Sequence, residues 1–258
     1  MILKNLNRLF YLVFATVILC QFSIAVSPFI ESWSDNFQSV SNRWQMADWT
    51  FTENLCEFSP DNIKLTNNQL LLSITKKNND AWKYPAKEYL ASELYTPDEF
   101  LYGKYKMKIK PNCPTGVVAS FFLIHIDFDE NYKALDWAEI DMEFPGSTNK
   151  IQFNVRWMEE GKSGIQDKPV VIDLDFDASK EFHEYTIEWA PTYIVFYIDD
   201  KLYHKVTDPK ILKELAVPQS LRMNYWIADI PSWVGPFDSK VLPIESKYKE
   251  LKVYSYNN

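Results

Sequence analysis

An all-β fold, a sandwich of antiparallel sheets, is the class this sequence predicts, and three observations predict it. Short runs rich in β-branched and aromatic residues recur between turn signals. Long helical periodicity is nearly absent, and residues 137–144 alternate apolar with acidic, as a strand with one packed face does. In chain order, strands are expected over 69–75 after Asn67-Asn68, 103–110 before Pro111, and 117–126 after Pro114-Thr115-Gly116. The rhythm continues over 137–144, 150–157, 170–174, 183–189, 193–198 before Asp199-Asp200, 221–226 and 248–256. Residues 209–216 form the one good short-helix candidate, and the 76–80 cluster reads as a solvated loop. No repeat, low-complexity tract or linker divides the chain, so one domain is expected over 26–258.

Residues 1–25 read as a secretory leader. Lys4 and Arg8 precede an apolar run over 9–20, and Ser23-Ile24-Ala25 supplies the small-x-small cleavage pattern. The apolar run is shorter than the ~20 residues of a membrane span, so a retained anchor is the weaker reading. Lipid attachment at Cys20 is disfavoured by Leu19 before it. The mature chain is thus expected to be secreted, soluble and monomeric. It carries 25 basic against 35 acidic residues, a balance that disfavours nucleic acid and anionic membranes and suits a neutral polysaccharide.

Other chemistries find no foothold. Cys56 and Cys113 permit one disulfide and require none. His125, His183 and His204 stand in unrelated contexts without a second ligand at metal spacing, which argues against a zinc hydrolase. Six glycines leave no nucleophile elbow, phosphate cradle or nucleotide fingerprint.

The informative segment is Trp137-Ala138-Glu139-Ile140-Asp141-Met142-Glu143-Phe144. Its three acids leave one face of a strand at intervals of roughly 6.6 Å, while Ala138, Ile140, Met142 and Phe144 leave the other. A solvated stripe that serves solubility would mix signs, yet no Lys or Arg occurs between Asp136 and Lys150. Crowded carboxylates raise one another's pKa and so hold one group protonated beside another that is ionised, the pair of states acid and nucleophile chemistry needs. Trp137 shares their parity, and an indole beside carboxylates suits a pyranose, which stacks its apolar face and hydrogen-bonds its rim.

Glu139-Ile140-Asp141-Met142-Glu143-Phe144-Pro145-Gly146 resembles the Glu-x-Asp-x-Glu-Phe-x-Gly signature of glycoside hydrolase family 16, the jelly-roll β-glucanases, in its lichenase and xyloglucan-transglycosylase form. Ala91-Ser92-Glu93-Leu94, Thr115 to Phe122, Ile151-Gln152-Phe153-Asn154, Phe176 to Lys180 and Met223-Asn224-Tyr225-Trp226 resemble lichenase segments in the same order. The resemblance implies a concanavalin A-like jelly roll and a retaining endo-β-glucanase acting on β-1,3/1,4-linked glucan. In it Glu139 is the nucleophile, Glu143 the general acid/base and Asp141 the residue tuning them. It places Trp137, Glu93, Asn154 and Trp226 on substrate contacts, requires no cofactor, and is compatible with a structural calcium near the chain ends. In a regular strand the Cα atoms of Glu139 and Glu143 stand about 13 Å apart, so the side chains must lean together to approach the ~5.5 Å of a retaining pair.

Departures accompany the matches. Ala138 stands where an acid usually precedes the first catalytic Glu, Leu94-Tyr95 replaces an aromatic-arginine pair after Glu93, the lichenase disulfide partner near Glu93 is missing, and Arg156-Trp157 replaces aromatic and small polar residues. Transglycosylation on the same site and a non-catalytic glucan-binding sandwich are the rival readings. Trp33, Trp44, Trp49 and Trp189 read as core aromatics, Trp82 and Trp233 as evenly balanced between core and sugar platform, and Asp127, Asp129 and Glu130 as a solvated loop.

Overall fold

A computed structural model describes residues 27–257 except 40 and 79–82; the leader over 1–25, positions 79 and 80 of the 76–80 cluster and Trp82 lie outside the described residues. The chain opens with β1 (Phe29–Asp35), β2 (Gln45–Met46), β3 (Cys56–Phe58), β4 (Ile63–Thr66), β5 (Gln69–Lys76) and β6 (Tyr89–Phe100). It continues with β7 (Gly103–Lys110), β8 (Val117–Phe128), β9 (Ala134–Pro145), β10 (Lys150–Met158), β11 (Ile165–Asp167) and β12 (Val170–Asp173). The last third holds β13 (His183–Ala190), β14 (Tyr193–Ile198), β15 (Lys201–Val206), helix α1 (Pro209–Glu214), β16 (Gln219–Ile227), helix α2 (Pro231–Val234) and β17 (Ile244–Tyr256).

Two sheets form the sandwich. The first runs β2-β6-β16-β8-β9-β10, with β11 and β12 both on the outer edge of β10. The second is built around β17, flanked by β7-β13-β14-β15 on one side and by β1 and β5-β4 on the other. Apolar residues at every second position drive the stacking: Tyr105, Met107 and Ile109 of β7 are buried, while Lys104, Lys106, Lys108 and Lys110 are only half-covered. Phe144 of β9 meets Tyr185 of β13 edge to face at 5.3 Å, and Phe153 of β10 stacks on Phe196 of β14 at 4.9 Å. Rings of this size contribute about 1.5–3 kcal/mol each by burial, so these contacts clamp the acid-bearing strand to the second sheet.

The expected strands at 103–110 and 193–198 form at those bounds, and the acid segment extends to Ala134–Pro145. Helix α1 stops two residues earlier than expected; Asp208 caps it by accepting the Lys210 N–H. Strand β6, absent from the expected strands, is among the longest. Its middle is buried on both faces and so shows no alternation, and Pro97, at a bulge opposite β16, punctuates the sequence where the strand runs on. Trp44 and Trp189 are core residues as expected, and Trp33 and Trp49 pack half-buried against the core. Cys56 and Cys113 are separate buried thiols, and burial pushes Cys56 up to about 12.

Candidate active site

The turn between β9 and β10 sets a register in which each acid faces a polar partner: Glu143 opposite Gln152, Asp141 opposite Asn154, and Glu139 opposite Arg156. Residues directly opposite share a face, so the six side chains form a two-column lattice on the first sheet. Gln152 Nε2 donates to Glu143 Oε2 at 3.0 Å. Arg156 Nη1 lies 3.0 Å from Glu139 Oε2, and the Trp137 indole N–H donates to the same oxygen at 2.8 Å. The positive charge missing from 137–149 therefore arrives across the strand pair.

The apolar face of β9 packs as expected, but the acid face is less open than a half-solvated strand would be. Glu139 is 7% exposed and Asp141 3%. Burial raises Asp141 well above the ordinary carboxyl range, and the charges of Glu139 and Glu143 add to the rise. Burial, with the Glu139 charge, also pushes Glu143 up to about 7 against the opposing pull of Arg156 and Gln152. Burial opposes the Arg156 charge, but the three acids outweigh it and hold the guanidinium firmly protonated. The row thus pairs an ion-paired Glu139 with a Glu143 that exchanges its proton near neutrality.

The lattice continues through β8 and β16 to β6. Glu143 faces Ser120, Ser120 faces Asn224, and Asn224 faces Glu93. Three strand spacings separate Glu93 from Glu143, about 14 Å, which is the span of a few sugar units rather than a contact. Glu93 is buried; its Oε1 accepts from Arg222 Nη1 at 3.0 Å and its Oε2 from Asn224 Nδ2 at 3.2 Å. Burial raises its pKa in spite of Arg222 and Asn224. The arginine absent beside Glu93 in sequence is supplied by position 222, in register with Tyr95, and Arg222 lies over the rings of Tyr95 and Trp49 at 5.1 and 5.8 Å.

Of the remaining expected contacts, Trp137 is half-buried under Arg156, whose guanidinium lies 5.3 Å from the ring centre. Asn154 is buried and its Oδ1 accepts the Lys168 N–H, which pins the strand's outer neighbour. Trp226 is 6% exposed, covered by Phe51 and Trp233 at 4.9 and 6.3 Å. Trp233 turns out to belong to the site, since its indole N–H donates to Gln152 Oε1 at 3.1 Å. Sequence reasoning gives Gln152, Arg222 and Asn224 no individual role, reads Arg156 as a departure from the lichenase pattern and leaves Trp233 balanced between core and sugar platform. For Gln152 and Arg156, extending the β9 register through the turn at 147–149 places them opposite the acids.

Gly146 ends the acid motif at φ 62°, and a Cβ there would fall 2.0 Å from the Val234 carbonyl oxygen. That oxygen accepts the Gly116 N–H at 2.8 Å, so it is fixed in place. Only a residue without a side chain lets β9 pass this close to α2, the helix that carries Trp233.

Jelly-roll fold and carboxylate row together define the class, a glycoside hydrolase sandwich. More narrowly, the chain belongs to glycosyl hydrolases family 16, which residues 45–240 match. A β-glucanase of Acetivibrio thermocellus is 31% identical over 236 residues, 90% of this chain, and the chain spans 64% of that relative's length. A β-glucanase of Paenibacillus polymyxa is 31% identical over 251 residues, covering 95% and 97% of the two chains. The crystal structure of a prokaryotic β-1,3-1,4-glucanase (lichenase) derived from a mouse hindgut metagenome superposes with a TM-score of 0.72 at 29% identity, covering 87% of this chain and 98% of that one.

Among the described residues no group of three or more His, Cys, Asp or Glu side chains is placed to hold a metal ion. Among them, too, no helix is long and apolar enough to cross a membrane.

Proposed function

We propose that this chain is a secreted, monomeric retaining endo-β-glucanase hydrolysing β-1,3/1,4-linked glucan, with one catalytic domain over 26–258 after a leader over 1–25. The observation that carries the reading is the unequal surroundings of two acids on one strand, a guanidinium at one and a neutral amide at the other. Glu139 is paired with Arg156, while Glu143 sits near 7 and can give and retake a proton. Its β-glucanase relatives support the choice of polymer.

Glu143 protonates the glycosidic oxygen as Glu139 attacks the anomeric carbon, forming a glycosyl-enzyme and releasing the leaving chain. Glu143, now ionised, takes a proton from an incoming water, which displaces Glu139 and restores both groups. Asp141 stands between them, its carboxyl pushed up by burial and by the charges of both neighbours. Glu93, Trp137, Asn154 and Trp226 line the path of the glucan, and Asn224 holds Glu93 by donating its Nδ2 to Oε2. No cofactor is required.

The test is reducing-end release from mixed-linkage glucan, β-1,3-glucan and xyloglucan by the purified chain, with Glu139→Ala as control. Release from mixed-linkage glucan that disappears in the variant supports the reading. Longer products formed with an added acceptor oligosaccharide would replace it with transfer, and binding without turnover would replace it with the binding-module reading.

A further inference from the structure

We propose that Arg156 is the positioning residue that fixes which acid of the row carries the negative charge, and which oxygen of Glu139 faces the sugar. This inference rests on the hydrolase reading and adds to it a residue that departs from the lichenase pattern.

The geometry is specific. Three acids at alternate positions share one face of β9, and among the described residues one guanidinium is paired with the row. It meets the terminal member at 3.0 Å and not the central one. Its Nη1 and the Trp137 indole converge on the same oxygen, Oε2, so neither donor occupies Oε1. A carboxylate held by one oxygen is fixed in rotation and keeps its other oxygen for attack. The Arg156 side chain is 36% exposed on the open side of the row and lies over the Trp137 ring, which limits the directions it can take.

Other neighbours cannot do this work. From β8 the row meets Ser120, Phe122 and Ile124, none of them charged. From β10 it meets Gln152 and Asn154, both neutral, besides Arg156. On β16 the next facing residues are Asn224, Arg222 and Ser220, and Arg222 is committed to Glu93 on β6. With Arg156 removed, Glu139, Asp141 and Glu143 would share their protons with no cation to rank them. The Arg156 charge also opposes the rise of Glu143, so its loss sends the acid/base further up.

Arg156→Gln and Arg156→Lys separate this role from a structural one. The readouts are the pH profile of kcat/KM on soluble mixed-linkage glucan, with kcat and KM resolved, and a carbon-13 NMR titration of Glu-labelled protein that needs no turnover. In Arg156→Gln the alkaline limb of the profile and the Glu143 titration are both expected to move up by about one unit, with kcat falling more than KM rises. Arg156→Lys keeps the charge but not the fork, so it is expected to restore the pH limb while kcat stays reduced.

An unmoved limb and titration in folded Arg156→Gln, with the loss confined to KM, would reduce Arg156 to a substrate contact and overturn the proposal. Should Arg156→Gln fail to fold, a Lys variant whose limb differs from the wild type would overturn it equally. If the wild-type chain turns over no glucan, the hydrolase reading falls, whereas the titration still decides whether Arg156 orders the acids.

Discussion

Two glutamate–arginine pairs lie on the same sheet with the same 3.0 Å separation, Glu139 with Arg156 and Glu93 with Arg222, yet their surroundings make them opposites. Each oxygen of Glu93 has its own donor, and no other carboxylate stands in its column nearer than Glu143, three strands away. Glu139 has two donors crowded on one oxygen and two further acids on its own strand. The Glu93–Arg222 pair is saturated and holds a wall; the Glu139–Arg156 pair leaves more acid than its cation can balance. A buried ion pair is thus defined by the unpaired groups beside it.

The most severe way to break this comparison is to remove the two acids proposed to react. Glu143→Gln is expected to lower kcat by roughly 10²–10⁴ and Glu139→Ala to abolish glycosyl-enzyme formation; steady-state rates and intact-mass trapping check both. The mirror experiment is Glu93→Ala, which strands Arg222. Because Arg222 keeps 21% of its side chain exposed, a loss of about 3 kcal/mol, the lower end for a broken buried pair, is expected in denaturant unfolding, along with raised KM.

A finer distinction comes from pH. A carboxyl whose folded pKa exceeds its unfolded one stabilises the fold below the unfolded value, and that contribution is lost as pH rises through the folded value. For Glu143 the window runs from the ordinary 4.5 to about 7. Over it the wild type should lose up to roughly 3 kcal/mol relative to Glu143→Gln, and kcat/KM should decline above about 7. Parallel unfolding curves for the two proteins across that window would contradict the assignment. The smallest effect belongs to a pair with neither burial nor crowding: Lys83→Ser removes the exposed contact with Asp48 and should leave the denaturant midpoint unchanged within error.

The sequence made the acid row legible because a strand's period of two puts every second residue on one face, and the packed Ala138, Ile140, Met142 and Phe144 confirm the parity. It did not disclose what faces the row. Arg156 is 17 residues from Glu139 and Arg222 is 129 from Glu93, distances at which local pattern says nothing and only register decides. The next cation along the chain after the row is Lys150, six positions short of Arg156. Trp233 stays undecided between core and site in the sequence for a different reason: it sits on a four-residue helix whose placement depends on contacts made far away in the chain.

Those contacts turn on Gly146. Because the Val234 carbonyl occupies the space a methyl group would need, any side chain at 146 must push α2 outward, and the displacement passes through Trp233 to Gln152 and so to Glu143. The carboxyl of Glu143 is therefore tied to a mechanical tolerance at a residue that carries no ionisable group. Selection for turnover in this chain would be felt as an exclusion rule on volume at a turn.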